Sequence, residues 1–198
     1  MTKALLLLSG GFDSAVAGYL MKKRGLDIVA VHFSNEPFTD NAPEIKARKL
    51  AEHLGFNKII VVNMSNVFSE IAKNCIHRYY FVLIKRAMYK TSNEIAKSED
   101  CSFIISGECL AQVSSQTLKN LEVISEASSL EILRPLLTFD KEEIISVARD
   151  IGTYDLSVGP EVCDVLGPKH PATRSSVEKI RKEEEKLATL IYFPPKGL

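Results

Sequence analysis

The sequence predicts an α/β fold: a doubly wound parallel sheet of about five strands with helices on both faces. Three observations predict it. Short apolar runs alternate with stretches of helical periodicity along most of the chain. The runs are continuously apolar, as parallel strands covered on both faces require. The first run also passes through two glycines directly into a helix, the strand–turn–helix unit of such sheets.

Taken in order, the expected strands are Lys3–Leu8, Ile28–Phe33, Lys58–Val62, Phe103–Ser106 and Leu130–Leu133. The expected helices are Asp13–Arg24, Pro43–Leu54, Tyr79–Lys97, Leu110–Ser125 and Lys141–Ile151. Asp140 before Lys141-Glu142-Glu143 reads as an N-cap. Beyond Gly152 the pattern changes. Thr153–Pro171 is rich in Gly and Pro and reads as a long loop, after which Thr173 or Ser175 would cap a charged helix through Leu187. Glu178 and Lys182 would pair on that helix at i,i+4. The reading is of one domain over residues 1–198, with 153–198 as its C-terminal loop and helix.

Composition narrows the function classes. The chain is 45% hydrophobic and 25% charged, the balance of a globular protein. Formal net charge is zero, so a nucleic-acid surface would have to be a local patch. The Leu5–Leu8 run is too short for a membrane span or a signal-peptide core, and a cytoplasmic location without membrane attachment is expected. The four cysteines, Cys75, Cys101, Cys109 and Cys163, form no Cys-x-x-Cys pair and no zinc spacing with the histidines. Cys101 reads as core; Cys109, close to the crevice, reads as a buried small residue at a helix start, with a second sulfur-handling thiol as the alternative. Cys75 with His77 offers only two ligands, too few for a metal.

The chemistry concentrates in Ser9-Gly10-Gly11-Phe12-Asp13-Ser14. A buried strand delivers the chain to a glycine turn at a helix N-terminus, where backbone N–H groups and the helix dipole attract an anion. The glycines let oxygens approach the backbone. Ser9 and Ser14 add hydroxyl donors, and Asp13 can hold Mg2+ beside phosphates. A purely structural turn is the competing reading. Neither the Gly-x-x-x-x-Gly-Lys-Ser/Thr loop nor the Gly-x-Gly-x-x-Gly fingerprint is present. Ser-Gly-Gly-x-Asp-Ser matches instead the PP-loop of enzymes that split ATP between its α and β phosphates. Strands two and four end at the same sheet edge, bringing His32-Phe33 and Ser106-Gly107-Glu108 to the crevice where such sheets bind ligands.

A second stretch, Ile71–Asn93, contains no acid. It interleaves Lys73, Arg78, Lys85, Arg86 and Lys90 with Tyr79, Tyr80, Phe81 and Tyr89. That mixture suits RNA phosphates and bases, and Lys73, Arg78, Arg86 and Lys90 are the candidate contacts. The aromatics suit equally the core face of an amphipathic helix.

Further segments carry a specific likeness: Gly107 to Thr117, Arg134-Pro135-Leu136-Leu137, Asp140 to Ile145, Ala148 to Thr153, and Pro160-Glu161-Val162-Cys163. With the Ser9–Ser14 loop they make the chain resemble the PP-loop domain of the 4-thiouridine tRNA sulfurtransferases, also known as thiamine-biosynthesis sulfurtransferases. The resemblance implies the Rossmann-like PP-loop adenine-nucleotide α-hydrolase fold. It also implies that ATP adenylates a tRNA uridine, which sulfur then converts to 4-thiouridine. ATP would be contacted by Leu8, Ser9, Gly10, Gly11, Phe12, Asp13, Ser14, His32, Phe33, Lys85, Gly107 and Gln116. Asp13 and Cys163 would be catalytic, Cys163 as the sulfur-carrying cysteine. Read from its neighbours alone, Cys163 is as consistent with an inert packed thiol.

Family members carry an N-terminal RNA-binding region with a THUMP domain, and many bacterial ones a C-terminal rhodanese domain. Neither is expected within these residues, which points to a separate THUMP-containing partner for tRNA. Sulfur would come from a donor protein or free sulfide, and a homodimer stays open. Some archaeal members hold an iron–sulfur cluster through a Cys-x-x-Cys pair in the middle helix. Phe81-Val82-Leu83-Ile84 stands there, so no such cluster is expected. The alternatives are an adenylating ligase or amidotransferase on a non-RNA acceptor, and a non-catalytic nucleotide-binding subunit.

Overall fold

The computed structural model describes residues 1–110, 113–159 and 166–187. Five parallel strands form one sheet in the order β3-β2-β1-β4-β5: β1 Lys3–Leu7, β2 Asp27–Ser34, β3 Lys58–Asn63, β4 Phe103–Ile105 and β5 Glu131–Leu133. β1 is central, with Ala4, Leu5 and Leu6 wholly buried. Such a strand needs no polar alternation because helices cover both of its faces.

Alternate side chains of β1 feed two cores. Ala4, Leu6 and Leu8 pack with Val16 and Ala17 of helix α1 (Phe12–Lys23), Ala47 and Ala51 of α2 (Ala42–His53), and Ile144 and Ala148 of α6 (Lys141–Asp150). Leu5 points the other way. It joins Val67, Phe68 and Ile71 of α3 (Ser65–Asn74), Leu83 and Ala87 of α4 (Tyr80–Ser98), and Val123 and Ile124 of α5 (Leu118–Ser125). A short α7 (Tyr154–Ser157) precedes the last helix, α8 (Val177–Glu185).

The doubly wound expectation holds, with differences at particular elements. α3 was not expected; its signal is Val67, Phe68 and Ile71 at helical spacing, with Asn63 Oδ1 accepting from Ser65 N at 2.9 Å. The expected helix Leu110–Ser125 begins only at Leu118, capped by Thr117. Upstream, Leu110 N bonds to Leu137 O, and a 3-10 turn occupies Ser114–Gln116. α7 lies inside the expected loop. β2 extends the expected Ile28–Phe33 strand by one residue at each end, from Asp27 to Ser34.

α8 is capped by Ser176, not by Thr173 or Ser175. Those two are otherwise engaged: Thr173 O accepts from Thr117 Oγ1, and Ser175 bonds to Asn120 Oδ1 through both N and Oγ. The Asp140 cap is a full capping box with Glu143, both bonds 2.8 Å. Glu178 and Lys182 pair at 2.9 Å.

Candidate functional site

The order of strands reverses between β1 and β4, and at the C-terminal end of that pair two glycines shape the site. Gly10 holds φ +93°, and a Cβ there would lie 2.9 Å from the Pro43 carbonyl oxygen. Gly107 follows β4 and abuts the first turn of α1: a Cβ would stand 2.7 Å from Asp13 C and Ser14 N. Only the missing side chain lets β4 end against the helix.

The turn is tied within itself. Ser14 Oγ donates to Gly11 O at 3.1 Å and accepts from Ser9 N at 3.1 Å. Ser9 Oγ lies 3.1 Å from Ser14 Oγ and accepts from Gly11 N at 3.3 Å. No side chain caps α1, whose N-cap residue is Gly11. A preformed turn with an uncapped helix start suits an anion.

A cavity of about 360 Å³ opens here. Leu8, Ser9, Asp13, Ser14, His32, Phe33, Lys85, Gly107 and Gln116 all line it, from five separate segments. Three expected residues lie outside the lining. Gly10 backs onto α2, Gly11 caps α1, and the Phe12 ring stacks on Tyr154 with centroids 5.3 Å apart. Their part is to shape the turn.

His32 is buried, with Nδ1 2.9 Å from Leu8 O. A carbonyl only accepts, so Nδ1 carries the proton. Burial lowers the His32 pKa and outweighs the opposing pull of that bond. The ring is therefore neutral, and Nε2 is left as an acceptor.

Glu108 was expected at the crevice edge beside Gly107 but with no role assigned to it. It is 2% exposed, at the cavity wall. Its Oε2 accepts from Arg134 Nε and from Tyr89 OH, each at 2.9 Å. Its Oε1 lies 3.6 Å from Lys85 Nζ and has no hydrogen-bond partner. Burial by itself would raise this carboxyl, but the charges of Lys85 and Arg134 prevail and hold it below the usual range. Tyr89 is buried, and its hydroxyl is pushed up by that burial and by Glu108, so it stays a donor. The only local signal was the position of Glu108 directly after Gly107.

One expectation for the basic stretch needs correcting, and for Tyr80 and Tyr89 the core-face reading holds. Arg86 was a candidate RNA contact, yet it is 2% exposed. It makes a two-bond fork to Glu184 at 2.8 and 2.9 Å and reaches Glu126 at 2.7 Å and Val123 O at 2.5 Å. Buried and neutralised, it offers nothing to a phosphate. Tyr80 and Tyr89 are core residues and present no stacking face. Lys90 pairs with Glu184 at 2.9 Å, and Lys73 with Glu70 at 3.2 Å. Arg78 is exposed, over the Tyr79 ring at 5.9 Å.

Cys163 lies outside the described residues. Burial pushes the Cys109 thiol up to about 12, aided by Asp13 and Glu108, so it is no nucleophile at neutral pH. Cys75 and Cys101 are raised to about 11, chiefly by burial. Among the described residues no cluster of three His, Cys, Asp or Glu side chains could hold a metal. None of the described helices is long and apolar enough to cross a membrane.

The family model described as thiamine biosynthesis protein (ThiI) matches residues 1–189. The chain belongs to the ThiI family. A probable tRNA sulfurtransferase of Moorella thermoacetica is 41% identical over 194 residues, covering 95% of this chain and 50% of the relative. A probable tRNA sulfurtransferase of Alkaliphilus oremlandii is 42% identical over 191 residues, covering 93% and 49%. This ThiI-family chain thus spans about half the length of the curated relatives it matches. Among solved structures it is similar to a 4-thiouridine synthetase–RNA complex with bound ATP, at TM-score 0.88 and 36% identity, covering 93% of this chain and 50% of the other. The U34-tRNA thiolase NcsA of Methanococcus maripaludis, at TM-score 0.61 and 18% identity over 96% of this chain and 65% of the other, shares the fold.

Proposed function

We propose that this chain is the ATP-using part of a sulfurtransferase that converts a tRNA uridine to 4-thiouridine, with thiamine thiazole sulfur supply as a linked role. The observation that carries this reading is the convergence of Ser9, Asp13, Ser14, His32, Lys85, Gly107 and Gln116 on one cavity at the switch point. A relative solved with ATP and RNA supports it.

ATP lays its phosphates at the Ser9–Ser14 turn and its base toward His32 and Phe33. Lys85 supplies positive charge at the cavity wall. Mg2+ prefers one or two carboxylates plus phosphate oxygens and water, a set that Asp13 fits as the single protein ligand. Uridine O4 attacks the α-phosphorus, the bond to the β-phosphate oxygen breaks, and pyrophosphate leaves. Free sulfide then adds at C4 and the C4–O4 bond breaks to release AMP; with a Cys163 persulfide the same displacement gives a C4–S–S–Cys163 adduct, and a second thiol attacks the Cys163 sulfur, breaking the S–S bond to release 4-thiouridine and leaving a disulfide that an external dithiol reduces. The exposed Lys73 and Arg78 contribute phosphate contacts, and a THUMP-containing partner supplies further grip on the tRNA.

The test combines the protein with ATP, Mg2+, sulfide and unmodified tRNA and follows pyrophosphate, AMP and 4-thiouridine together. All three products are expected, with a loss of about a hundredfold in Asp13→Asn, the scale of removing one transition-state charge stabiliser. ATP binding without RNA-stimulated pyrophosphate release would assign the site to another acceptor. Unchanged thiolation in Cys163→Ser would remove that residue from the mechanism.

A further inference from the structure

Three buried side-chain oxygens at the cavity wall have no hydrogen-bond partner: Asn35 Oδ1, Glu108 Oε1 and Gln116 Oε1, of which only Glu108 Oε1 belongs to a carboxylate. A buried acceptor left unsatisfied is costly, and a buried carboxylate oxygen more so. A bound ligand can satisfy it only by bringing a donor. The triphosphate of ATP brings none, because its oxygens are all acceptors, and it would repel a carboxylate. Glu108 is therefore misplaced as a phosphate ligand and well placed as an acceptor for an N–H or O–H group.

Position narrows the choice. Glu108 follows β4, on the opposite side of β1 from β2, which carries His32 and Phe33. The end of β1, whose turn would take the phosphates, lies between the two. A group held at Glu108 is thus across the phosphates from the adenine end, where an acceptor substrate must stand to be adenylated. If that substrate is a uridine, as proposed above, the donor beside its reactive O4 is N3–H. Cytosine carries a bare lone pair at N3, and 3-methyluridine a methyl group.

We infer that Glu108 is a specificity-determining residue, its Oε1 accepting a hydrogen bond from N3–H of the uracil ring whose O4 is to be activated. Arg134, Tyr89 and Lys85 hold the carboxylate in place for this contact, the first two through Oε2. The bond rejects cytosine because two acceptors would then face each other. It also draws electron density toward O4, the atom that attacks the α-phosphorus.

The experiment uses the full chain saturated with a non-hydrolysable ATP analogue. Saturation-transfer NMR measures its binding of uridine, 3-methyluridine and cytidine as free nucleosides, in wild type and in Glu108→Gln. Wild type should prefer uridine over both others by about tenfold or more, the scale of one hydrogen bond to a charged group. In Glu108→Gln the preference over cytidine should collapse toward unity, with affinity for the ATP analogue within about threefold. Should that variant not fold, Glu108→Asp keeps the charge beside Lys85 and Arg134 and withdraws the oxygen by one carbon, and should lower the same ratio. Three results overturn the assignment: no uridine preference in wild type, including no uridine binding at all; an unchanged preference in the variant; or a parallel loss of ATP-analogue affinity, which would make Glu108 a ligand of the nucleotide. A uridine preference without RNA-stimulated pyrophosphate release would leave the subsite standing while the sulfurtransferase reading falls.

Discussion

Lys85 and Arg86 are neighbours on α4, yet they serve two ionic clusters of opposite character. Arg86 is closed in. Glu184, Glu126 and Val123 O take its donors, and the cluster ties α4 to α5 and α8. Lys85 is 29% exposed at the cavity wall, facing a carboxylate with one oxygen unsatisfied. Both clusters bury a carboxylate or a guanidinium, so burial of charge does not distinguish them. The unsatisfied oxygen does. A complete cluster holds the fold together, whereas an incomplete one waits for a ligand.

The largest effect should come from breaking the complete cluster. Arg86→Met leaves Glu184 and Glu126 without their main partner. The expected cost is about 3–5 kcal/mol, a drop of roughly 10 °C in thermal midpoint for a domain of this size. Calorimetry checks it, and ATP affinity of the folded fraction should stay within about twofold. The acid limb sharpens the point. Burial alone would raise the Glu126 and Glu184 carboxyls, but the hydrogen bonds and charges of their basic partners hold both below the usual 4.5. Their contribution is complete above about pH 4.5 and is lost as pH falls through the lower folded-state values. Wild type should therefore lose midpoint between pH 5 and pH 3 more steeply than Arg86→Met.

Gly107→Ala tests the other side of the comparison. The new methyl would overlap the backbone of Asp13 and Ser14, so α1 must retreat from β4. Overpacking of this kind costs about 1–3 kcal/mol. Here it should fall on the site as well as on stability, with ATP affinity down by about tenfold in a titration. A melting midpoint that falls while ATP affinity holds would detach Gly107 from the phosphate turn.

The smallest effect is expected at Lys182→Ala. It breaks a solvated pair with Glu178, and neither midpoint nor ATP affinity should move measurably.

Much of this was legible in the chain. The apolar run from Ala4 to Leu8, the two glycines and the helix after them predicted the central strand and its turn, and five strands stand close to where the periodicity placed them. The Asp140 cap was also legible, because its partner is only three residues away. α3 was missed because its helical signal is short, and the residues from Leu110 to Thr117 were read as helix because their apolar content did not reveal the bond from Leu110 to Leu137.

What the sequence by itself determined is therefore local: strand, turn, helix, cap and the glycine turn at the start of α1. These follow from steric and hydrogen-bonding preferences acting within a few residues. Only the tertiary structure decided which charges matter. Arg86 meets Glu184 across 98 residues and Arg134 meets Glu108 across 26. A side chain's solvation and partners are set by whatever the fold packs against it. Two adjacent basic residues, alike in sequence, thus came to hold the fold in one case and to face the cavity in the other.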